Sequence, residues 1–307
     1  MKMQQTIKDK ITFSGIGLHT GCRVNVSILP APEDAGITFI RKDLPGSPVI
    51  KAVASNVVAT SYATTIGVNG VTVSTVEHLL AAFYGLGVDN AVVELDGPEA
   101  PIMDGSASYF IERIDAVGRK GQTRPRRYIV IKKPIKVFDR DKYVLLLPAL
   151  DDALTIDYNI DFSHSFIARQ SFSRMFSRDV FRHEVGSART FGFLSDVEML
   201  KANGLAKGGS LDNAVVIGET DILNEEGLRY PDEFVRHKVL DMMGDACLLG
   251  YPLIARIVAH RSGHALNYKL VQEILQRPNA WELTEEFHRE VPAMPLVAMG
   301  MGSLALI

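Results

Sequence analysis

Three imidazole or carboxylate side chains recur at four-residue intervals in the segment 232–249, namely His237, Asp241 and Asp245. The apolar residues of this segment follow the period of an α-helix and are Val235, Val239, Met242, Ala246 and Leu249. The segment is therefore predicted to be a helix that ends at Gly250, with the three polar residues along one stripe. An imidazole and a carboxylate at this spacing can bind one side of a zinc or ferrous ion. An ordinary solvated polar face fits the same pattern, so the helix alone leaves both interpretations open.

A second candidate group lies in the first half of the chain, where Glu77 and His78 are adjacent at the start of a predicted helix. In one interpretation, His78 is a further metal ligand and Glu77 is a carboxylate base beside it. In the other, Ser74 and Glu77 form a capping box at the helix N-terminus, which would occupy the Glu77 carboxylate. The residues alone do not decide between these two interpretations.

The histidines His260 and His264 are also four residues apart. Ser262 and Gly263 lie between them, after a predicted strand, so helical geometry is not expected there. His264 on a turn could instead act as an acid, or it could simply cap the turn.

Length and composition limit the class of protein. The chain has 307 residues, an apolar content of 47% and a formal net charge of −3, which is ordinary for a globular protein of one or two domains. This charge balance argues against a general nucleic-acid-binding protein. The two cysteines, Cys22 and Cys247, cannot form a disulfide framework and fit a reducing compartment. Without a signal peptide or an uninterrupted apolar span, the expected location is the cytoplasm.

The order of predicted elements recurs along the chain and indicates an α+β fold of two similar domains. Each half shows strands, a helix, a glycine, an apolar strand and a glycine turn, so helices in equivalent positions could present their polar residues between two packed domains. The expected divisions are a first domain at 1–120, a linker at 121–127, a second domain at 128–290 and a tail at 291–307. The basic linker segment could alternatively bind phosphate or nucleic acid.

Seven motifs follow one another over nearly the whole chain: S-G-I-G-L-H-T-G at 14–21, S-T-V-E-H-L at 74–79, P-I-M-D-G-S-A at 101–107, S-A-R-T-F-G-F at 187–193, L-N-E-E-G-L-R-Y at 223–230, H-K-V-L-D-M-M-G-D at 237–245 and S-G-H-A-L-N at 262–267. In these motifs the chain resembles the UDP-3-O-acyl-N-acetylglucosamine deacetylase family, whose members catalyse the committed step of lipid A synthesis in Gram-negative bacteria. The resemblance implies a zinc amidase with the active site between two similar α+β domains, each with a small inserted subregion.

The resemblance also implies a role for each matching residue. His78, His237 and Asp241 correspond to the ligands of one zinc ion, with ferrous iron as an alternative, and Glu77 corresponds to the general base. His264 corresponds to a second proton-transfer group, and Asp245 to an aspartate behind it. Thr190 corresponds to the residue whose hydroxyl helps to hold the oxyanion.

The expected partners are UDP-3-O-acyl-N-acetylglucosamine and water, without nucleic acid, in a monomer with at most peripheral membrane contact. The nucleotide–sugar contacts that the resemblance implies are Lys238, Phe191, Phe193, Asp161, Phe162 and Lys142. An acyl passage is expected in an insert at about 190–217, lined by Phe191, Leu194, Val197, Leu205, Ala206, Gly209 and Val216. An ordinary β-α-β subcore is the alternative interpretation of that insert.

Two other functions fit part of the pattern. One is a metal-dependent amidohydrolase that acts on a different nucleotide sugar. The other is a binding module without catalysis, which would not need Glu77, Thr190 and His264 together with three metal ligands.

Overall fold

The structure, a computed structural model, describes residues 2–164 and 166–285. In this part of the chain the strands, in order, are β1 Met3–Ile7, β2 Ile11–Ile16, β3 Arg23–Pro30, β4 Ile37–Arg41, β5 Val49–Lys51, β6 Val57–Ala59, β7 Thr65–Val68, β8 Val71–Val73, β9 Ala91–Leu95, β10 Arg119–Pro125, β11 Tyr128–Ile131, β12 Ile135–Asp139, β13 Lys142–Leu147, β14 Leu154–Asp161, β15 Arg169–Met175, β16 Phe191–Phe193, β17 Val215–Ile217, β18 Leu253–His260 and β19 Trp281–Thr284. The helices are α1 Glu77–Leu86, α2 Ser108–Val117, α3 Arg178–Val180, α4 Leu194–Ala202, α5 Glu233–Cys247 and α6 His264–Gln276. The predicted α+β class is confirmed.

The first large sheet joins five strands in the order β2-β3-β9-β4-β5. The central pair β4 and β9 is parallel, and the other pairs are antiparallel. In β3 the side chains of Val24, Val26 and Ile28 are buried, whereas Arg23 and Asn25 are exposed. Since successive side chains of a strand point to opposite faces, this alternation gives the sheet one apolar face for the core.

The second large sheet repeats this order of pairings with β12-β13-β18-β14-β15, and its pair β14 and β18 is again parallel. The strand β11 pairs parallel with the first two residues of β18, and β19 pairs antiparallel with β11. In each half a helix, α1 or α5, comes directly before the central strand β9 or β18. The two halves therefore share one topology, as the recurring sequence order predicts, while the domain boundaries stay predictions.

Each half carries smaller elements between its last sheet strand and its long helix. In the first half these are β6, β7 and β8, which form a three-stranded antiparallel sheet. In the second half β16, α4 and β17 form a unit with parallel strands that spans residues 191–217. Before this unit, the chain forms the short α3 and a π-helical turn at Phe181–Val185.

The helices α1 and α5 pack directly against each other and bring the two halves into contact. A Cβ atom at Gly244 of α5 would lie 2.1 Å from the carbonyl oxygen of Glu77, the first residue of α1. Only glycine therefore permits this approach. The consequence is that the start of α1 lies against α5 near the carboxylate and histidine stripe.

Most of the predicted linker at 121–127 belongs to β10, which pairs antiparallel with β1. Its arginines, and those that follow it, pair with carboxylates of the first half, as Arg126 does with Asp89 at 2.7 Å and Arg127 with Asp34 at 3.4 Å. The segment forms a strand because β1 offers an unpaired edge beside it. No helix in the described ranges has the length and apolarity needed to cross a membrane. The predicted tail at 291–307 lies outside the described residues.

Candidate metal and catalytic site

The three predicted metal ligands meet where α1 packs against α5. The Nε2 atom of His237 lies 3.2 Å from Oδ1 of Asp241, and Nε2 of His78 lies 3.7 Å from the same oxygen. One ligand atom from each of the three residues lies within 4.8 Å of the others, and all three side chains are buried. This is the only such group of histidine, cysteine and acidic side chains among residues 2–164 and 166–285.

The hydrogen bonds around this group fit a cation between its members. The Nδ1–H group of His237 donates to the carbonyl oxygen of Ala188 at 3.0 Å, which leaves the Nε2 lone pair directed at Asp241. Oδ1 of Asp241 and Nδ1 of His78 are buried and have no hydrogen-bond partner among the described residues. Because acceptor atoms that face one another repel unless a positive ion lies between them, two histidines and one aspartate are suited to a divalent transition metal.

The protonation states of these side chains agree with metal binding. Burial, and after it the charge of His237, lowers the pKa of His78 to about 3, so its imidazole is neutral. Burial also lowers the pKa of His237. Burial by itself would raise the pKa of Asp241, but His237 and Lys238 outweigh it and hold that pKa well below its usual value. Neutral imidazoles and an ionised carboxylate are the forms that bind metal.

Glu77, the first residue of α1, lies beside the metal ligands with its side chain 3% exposed. Its Oε2 atom accepts a hydrogen bond from the backbone N–H of Thr64 at 3.0 Å, and its Oε1 atom lies 3.8 Å from Nε2 of His264. Burial raises the pKa of Glu77 to about 7, against the opposing charge of His264. A carboxylate with this pKa can accept and return a proton near neutral pH.

His264, the first residue of α6, is held by a buried aspartate. Its Nδ1–H group donates to Oδ2 of Asp245 at 2.9 Å, and the Asn267 side chain donates to the same oxygen at 2.8 Å. Burial alone would lower the pKa of His264, but Asp245, Asp241 and Glu77 outweigh it and raise the pKa to about 10. The imidazole is therefore cationic at neutral pH and able to donate a proton from Nε2.

The capping-box interpretation of Ser74 and Glu77 is wrong. The helix begins at Glu77, and the Val76 that precedes it makes no side-chain cap. The Ser74 hydroxyl instead lies 2.8 Å from the Thr65 hydroxyl, and Thr75 adopts a left-handed conformation with φ of 56°. This turn after Ser74 separates it from the helix start, so the carboxylate of Glu77 is free to face the site.

His260 and His264 do not act together. The ring of His260 stacks on Tyr143 with centroids 5.3 Å apart and an interplanar angle of 27°. His260 is the last residue of β18, whereas His264 begins α6 after a turn. The expectation that this pair lacks helical geometry is confirmed.

Thr190 lies directly before β16 and is fixed by its backbone. Its N–H group donates to the carbonyl oxygen of Gly105 at 2.7 Å, and its carbonyl oxygen accepts from Val215 at 2.8 Å. A Cβ atom at Gly105 would lie 2.1 Å from the carbonyl oxygen of Asn213, so only a glycine here lets the 101–107 segment pack against the backbone at Asn213. The 101–107 and 187–193 motifs therefore come together at Thr190.

A buried ion network supports the residues next to Thr190. The Glu233 carboxylate accepts from the backbone N–H and the Nε of Arg189, both at 2.9 Å, and from the backbone N–H of Arg229 at 2.7 Å. The Arg229 guanidinium donates to Asp104 at 2.7 Å. Glu233 is wholly buried and Arg189 is 1% exposed. This network connects the motifs at 101–107, 187–193 and 223–230 to the first turn of α5.

We expect Arg189→Met to lower the free energy of unfolding by about 3–5 kcal/mol, because the variant leaves a buried carboxylate at Glu233 without its cation. Adding Glu233→Gln should recover part of this loss, since it removes the uncompensated charge. Urea denaturation followed by circular dichroism measures both effects. The matched control is Arg174→Met, whose pair with Glu184 is half exposed and should contribute less than about 1 kcal/mol. An equal loss in Arg174→Met and Arg189→Met would contradict the interpretation.

Two of the predicted nucleotide–sugar contacts lie directly beside the metal ligands. The Lys238 ammonium donates to Oδ2 of Asp241 at 2.7 Å and lies 5.4 Å from the centre of the Phe191 ring. The Phe191 ring is 6.3 Å from that of His237 and 5.9 Å from that of Phe162. Phe193 lies 5.9 Å from Phe162, so the three phenylalanines form one aromatic cluster.

The other predicted contacts lie farther out. Asp161, the last residue of β14, pairs with Arg169 at 3.1 Å, and Lys142 is exposed at the first residue of β13. No hydrogen bond or ion pair among the described residues connects Lys142 to the metal ligands. The predicted acyl-passage residues Leu194 and Val197 lie on α4, which has no fully buried residue.

Residues 206–209, of which Ala206, Gly208 and Gly209 are small, lie against the turn at 17–21 that follows β2. The backbone N–H groups of Lys207 and Gly208 donate to the carbonyl oxygens of His19 and Leu18. A Cβ atom at Gly208 would lie 2.2 Å from the carbonyl oxygen of Gly17, so the absence of a side chain at Gly208 allows the two backbone segments to pack closely. A Cβ atom at Gly209 would lie 3.3 Å from the carbonyl oxygen of Ala206 and 3.6 Å from the Leu18 side chain. Val216 lies in β17, where it pairs with Gly192 of β16.

Three groups at the site were not identified from the sequence. They are the Ala188 carbonyl that orients His237, the Asn267 amide on Asp245, and Thr64, whose hydroxyl donates to Oδ1 of Asp245 at 2.6 Å. Asn267 belongs to the S-G-H-A-L-N motif, which offered a signal. Thr64 lies in none of the seven motifs, and its contact with Asp245 joins positions 181 residues apart.

Comparison with known proteins identifies the family. The family model described as UDP-3-O-acyl N-acetylglycosamine deacetylase matches residues 4–276. The chain is 50% identical over 285 residues to the UDP-3-O-acyl-N-acetylglucosamine deacetylase of Citrifermentans bemidjiense, and the alignment covers 93% of each chain. It is 49% identical over 298 residues to the Myxococcus xanthus protein of that name, and the alignment covers 97% of this chain and 94% of that protein. It is 46% identical over 304 residues to the Shewanella violacea protein of that name, and the alignment covers 98% of this chain and 99% of that protein. The chain therefore belongs to the UDP-3-O-acyl N-acetylglycosamine deacetylase family.

Proposed function

We propose that this chain hydrolyses the N-acetyl group of UDP-3-O-acyl-N-acetylglucosamine and releases acetate and UDP-3-O-acyl-glucosamine, the committed step of lipid A synthesis. The observation that carries the proposal is the buried group of His78, His237 and Asp241 with Glu77 and His264 beside it. The curated relatives that bear this activity in their names cover nearly the full chain. We further propose that the enzyme works in the cytoplasm as a monomer with at most peripheral membrane contact.

The metal in this proposal is one zinc ion per chain, with ferrous iron as the alternative. Two imidazoles and one carboxylate are a donor set of catalytic zinc, and the unpartnered Oδ1 of Asp241 is the atom that most requires a cation. When bound, such an ion polarises a carbonyl and makes a coordinated water a nucleophile near neutral pH.

The protein's own groups supply the proton transfers. Glu77, with a pKa of about 7, accepts the proton of the attacking water. His264, cationic because of Asp245, donates a hydrogen bond to the oxyanion that develops on the amide, together with the Thr190 hydroxyl. The departing glucosamine nitrogen needs a proton before the C–N bond breaks, and His264 and Glu77 are both candidates to supply it.

The nucleotide–sugar part of the substrate is proposed to extend from Lys238 across the aromatic cluster. Lys238 offers a cation for a phosphate or sugar oxygen beside the metal ligands. Phe191, Phe193 and Phe162 offer an apolar surface on which the uracil or sugar ring can stack. Asp161 and Lys142 are proposed as outer contacts of the uridine diphosphate.

An acetate-release assay on purified protein tests the function. We expect acetate and free amine from UDP-3-O-acyl-N-acetylglucosamine, and no turnover after removal of metal by a chelator until zinc is restored. Turnover of another N-acetylated nucleotide sugar, with none of this substrate, would instead identify a different amidohydrolase. Binding without any acetate release would identify a non-catalytic module.

The acyl chain is expected to bind along the β16-α4-β17 insert. Each buried methylene contributes roughly 0.8 kcal/mol, so a chain shortened by four carbons should lose about 3 kcal/mol, on the order of a hundredfold in kcat/KM. Gly209→Trp places an indole beside Leu18 and should reduce kcat/KM for a long-chain substrate far more than for an acyl-free analogue.

The matched control for this prediction is Gly121→Trp, at an exposed glycine of β10 with open space around it. This control should leave kcat/KM unchanged for both the long-chain substrate and the acyl-free analogue. Equal losses on both substrates in folded Gly209→Trp protein would show that the insert is an ordinary subcore, without an acyl passage.

A further inference from the structure

Thr64 makes contact with both proton-transfer groups of the site. It lies between β6 and β7, directly before the first residue of β7, and its side chain is 1% exposed. Its backbone N–H donates to Oε2 of Glu77 at 3.0 Å, and its hydroxyl donates to Oδ1 of Asp245 at 2.6 Å. The same hydroxyl oxygen lies 3.3 Å from Nδ1 of His264. One residue thus touches the proposed base and the aspartate–histidine pair.

We propose that Thr64 is a positioning residue that fixes the separation and orientation of Glu77 and His264; this inference rests on the proposed function, since it assigns those two residues the proton transfers. The Asp245 carboxylate has one oxygen held by Thr64 and the other by His264 and Asn267. With both oxygens held, the carboxylate cannot rotate, and Nδ1 of His264 stays on Oδ2.

The backbone of Thr64 fixes the other partner. Because its N–H holds Oε2 of Glu77, the Oε1 atom faces Nε2 of His264 at 3.8 Å. The Thr64 carbonyl oxygen accepts from the N–H of Val76 at 3.3 Å, just before Glu77, so Thr64 is itself tied to the start of α1. Both catalytic side chains therefore take their positions from one buried residue of the loop between β6 and β7.

The hydroxyl is the part of Thr64 that substitution can remove without changing the backbone contact. A hydrogen bond of 2.6 Å to a buried carboxylate is in the strong, charge-assisted range. Without it, Oδ1 of Asp245 is left buried and unpaired, and the carboxylate can turn toward other donors. Small displacements of catalytic groups reduce turnover strongly, because the productive geometry must be held before the reaction.

Thr64→Val removes the hydroxyl but keeps the shape of the side chain and the N–H bond to Glu77. We expect kcat to fall about 10- to 100-fold in the zinc-loaded enzyme while KM changes by less than about threefold. Thr64→Ser keeps the hydroxyl and should restore kcat to within about threefold of wild type. The matched control is Thr65→Val, which loses a hydrogen bond to Ser74 away from the site and should keep full activity.

A second measurement does not depend on turnover. In protein with ¹⁵N-labelled histidine, the Nδ1–H proton of His264 gives a resonance whose shift reports its bond to Asp245. Zinc-loaded Thr64→Val should move or broaden that resonance, whereas Thr64→Ser and Thr65→Val should not. If Thr64→Val does not fold, the smaller Thr64→Ala takes its place in both measurements.

The inference is overturned if folded Thr64→Val or Thr64→Ala matches Thr64→Ser in kcat, or if the His264 resonance is unchanged. It is also overturned if kcat survives and only KM rises. An inactive wild type would refute the proposed function alone, because the resonance of His264 still tests whether Thr64 holds the pair.

Discussion

Alanine in place of His237 is expected to abolish deacetylation and to release the metal. Asp241 and His78 would remain, but two ligands leave the third protein position open, and the buried carboxylate of Asp241 would lose its nearest imidazole at 3.2 Å. We expect kcat/KM to fall by about 10³-fold or more, as is typical when a metal that stabilises the transition state is lost. Metal content per chain and acetate release, measured on the same preparation, check the two effects.

The matched control is His260→Ala, because His260 lies in the same half of the chain but stacks on Tyr143 away from the metal ligands. It should retain about one metal ion per chain and wild-type kcat/KM. Full activity in His237→Ala, or in wild-type protein freed of metal, would refute the metal-dependent mechanism. Loss of activity in both histidine variants would indicate a general loss of folding.

The helix at 233–247 was predictable because the residues that specify it lie close together in the sequence. The apolar period and the four-residue spacing of His237 and Asp241 lie in one continuous segment, and the structure places the helix within two residues of the predicted ends. A metal-binding role for His78 was favoured over its alternative only through the resemblance, since the other two predicted ligands lie about 160 residues away. The repeated order of strands and helices nevertheless indicated that helices at equivalent positions could meet.

The failures have one physical origin, which is competition from long-range partners. Ser74 has the residue type and spacing of a helix cap, yet its hydroxyl is hydrogen-bonded to the hydroxyl of Thr65 on a neighbouring strand. The 121–127 segment has the composition of a linker, yet β1 pairs with most of it. Local propensity cannot show either partner.

The supporting groups of the site are hidden for the same reason. Ala188 acts through its carbonyl oxygen, which every residue type has, so its residue type gives no sign of this role, although it lies in the 187–193 motif. Arginine and glutamate are residue types that are usually exposed, yet Arg189 and Glu233 are among the most buried charged residues described. The ion network beside Thr190 therefore gives a structural role to the 187–193 motif, which contains Arg189.

Replacing Glu77 with glutamine or alanine should reduce kcat by about 10²–10⁴-fold, because the site loses its proton acceptor. Glu77 is not one of the three ligands, so metal content should stay near one ion per chain. Glutamine is the sharper change, since its amide oxygen can still accept the Thr64 N–H and preserve the fold. Single-turnover kinetics with metal analysis on the same samples separates the two effects, and Glu94→Ala, on β9 in the same half of the chain, is the control.

The pH profile shows whether the lost activity is proton transfer. Glu77 must be ionised to act as a base, so kcat/KM should rise with pH through its raised pKa of about 7, and it should fall as His264 loses its proton toward pH 10. A bound divalent cation favours the anionic form of Glu77 and disfavours the cationic form of His264, so both midpoints should lie below those values in the zinc enzyme. Glu77→Gln should remove the rising limb and leave the falling one. A variant that retains both limbs and full kcat, and only melts at a lower temperature, would show that Glu77 serves the fold alone.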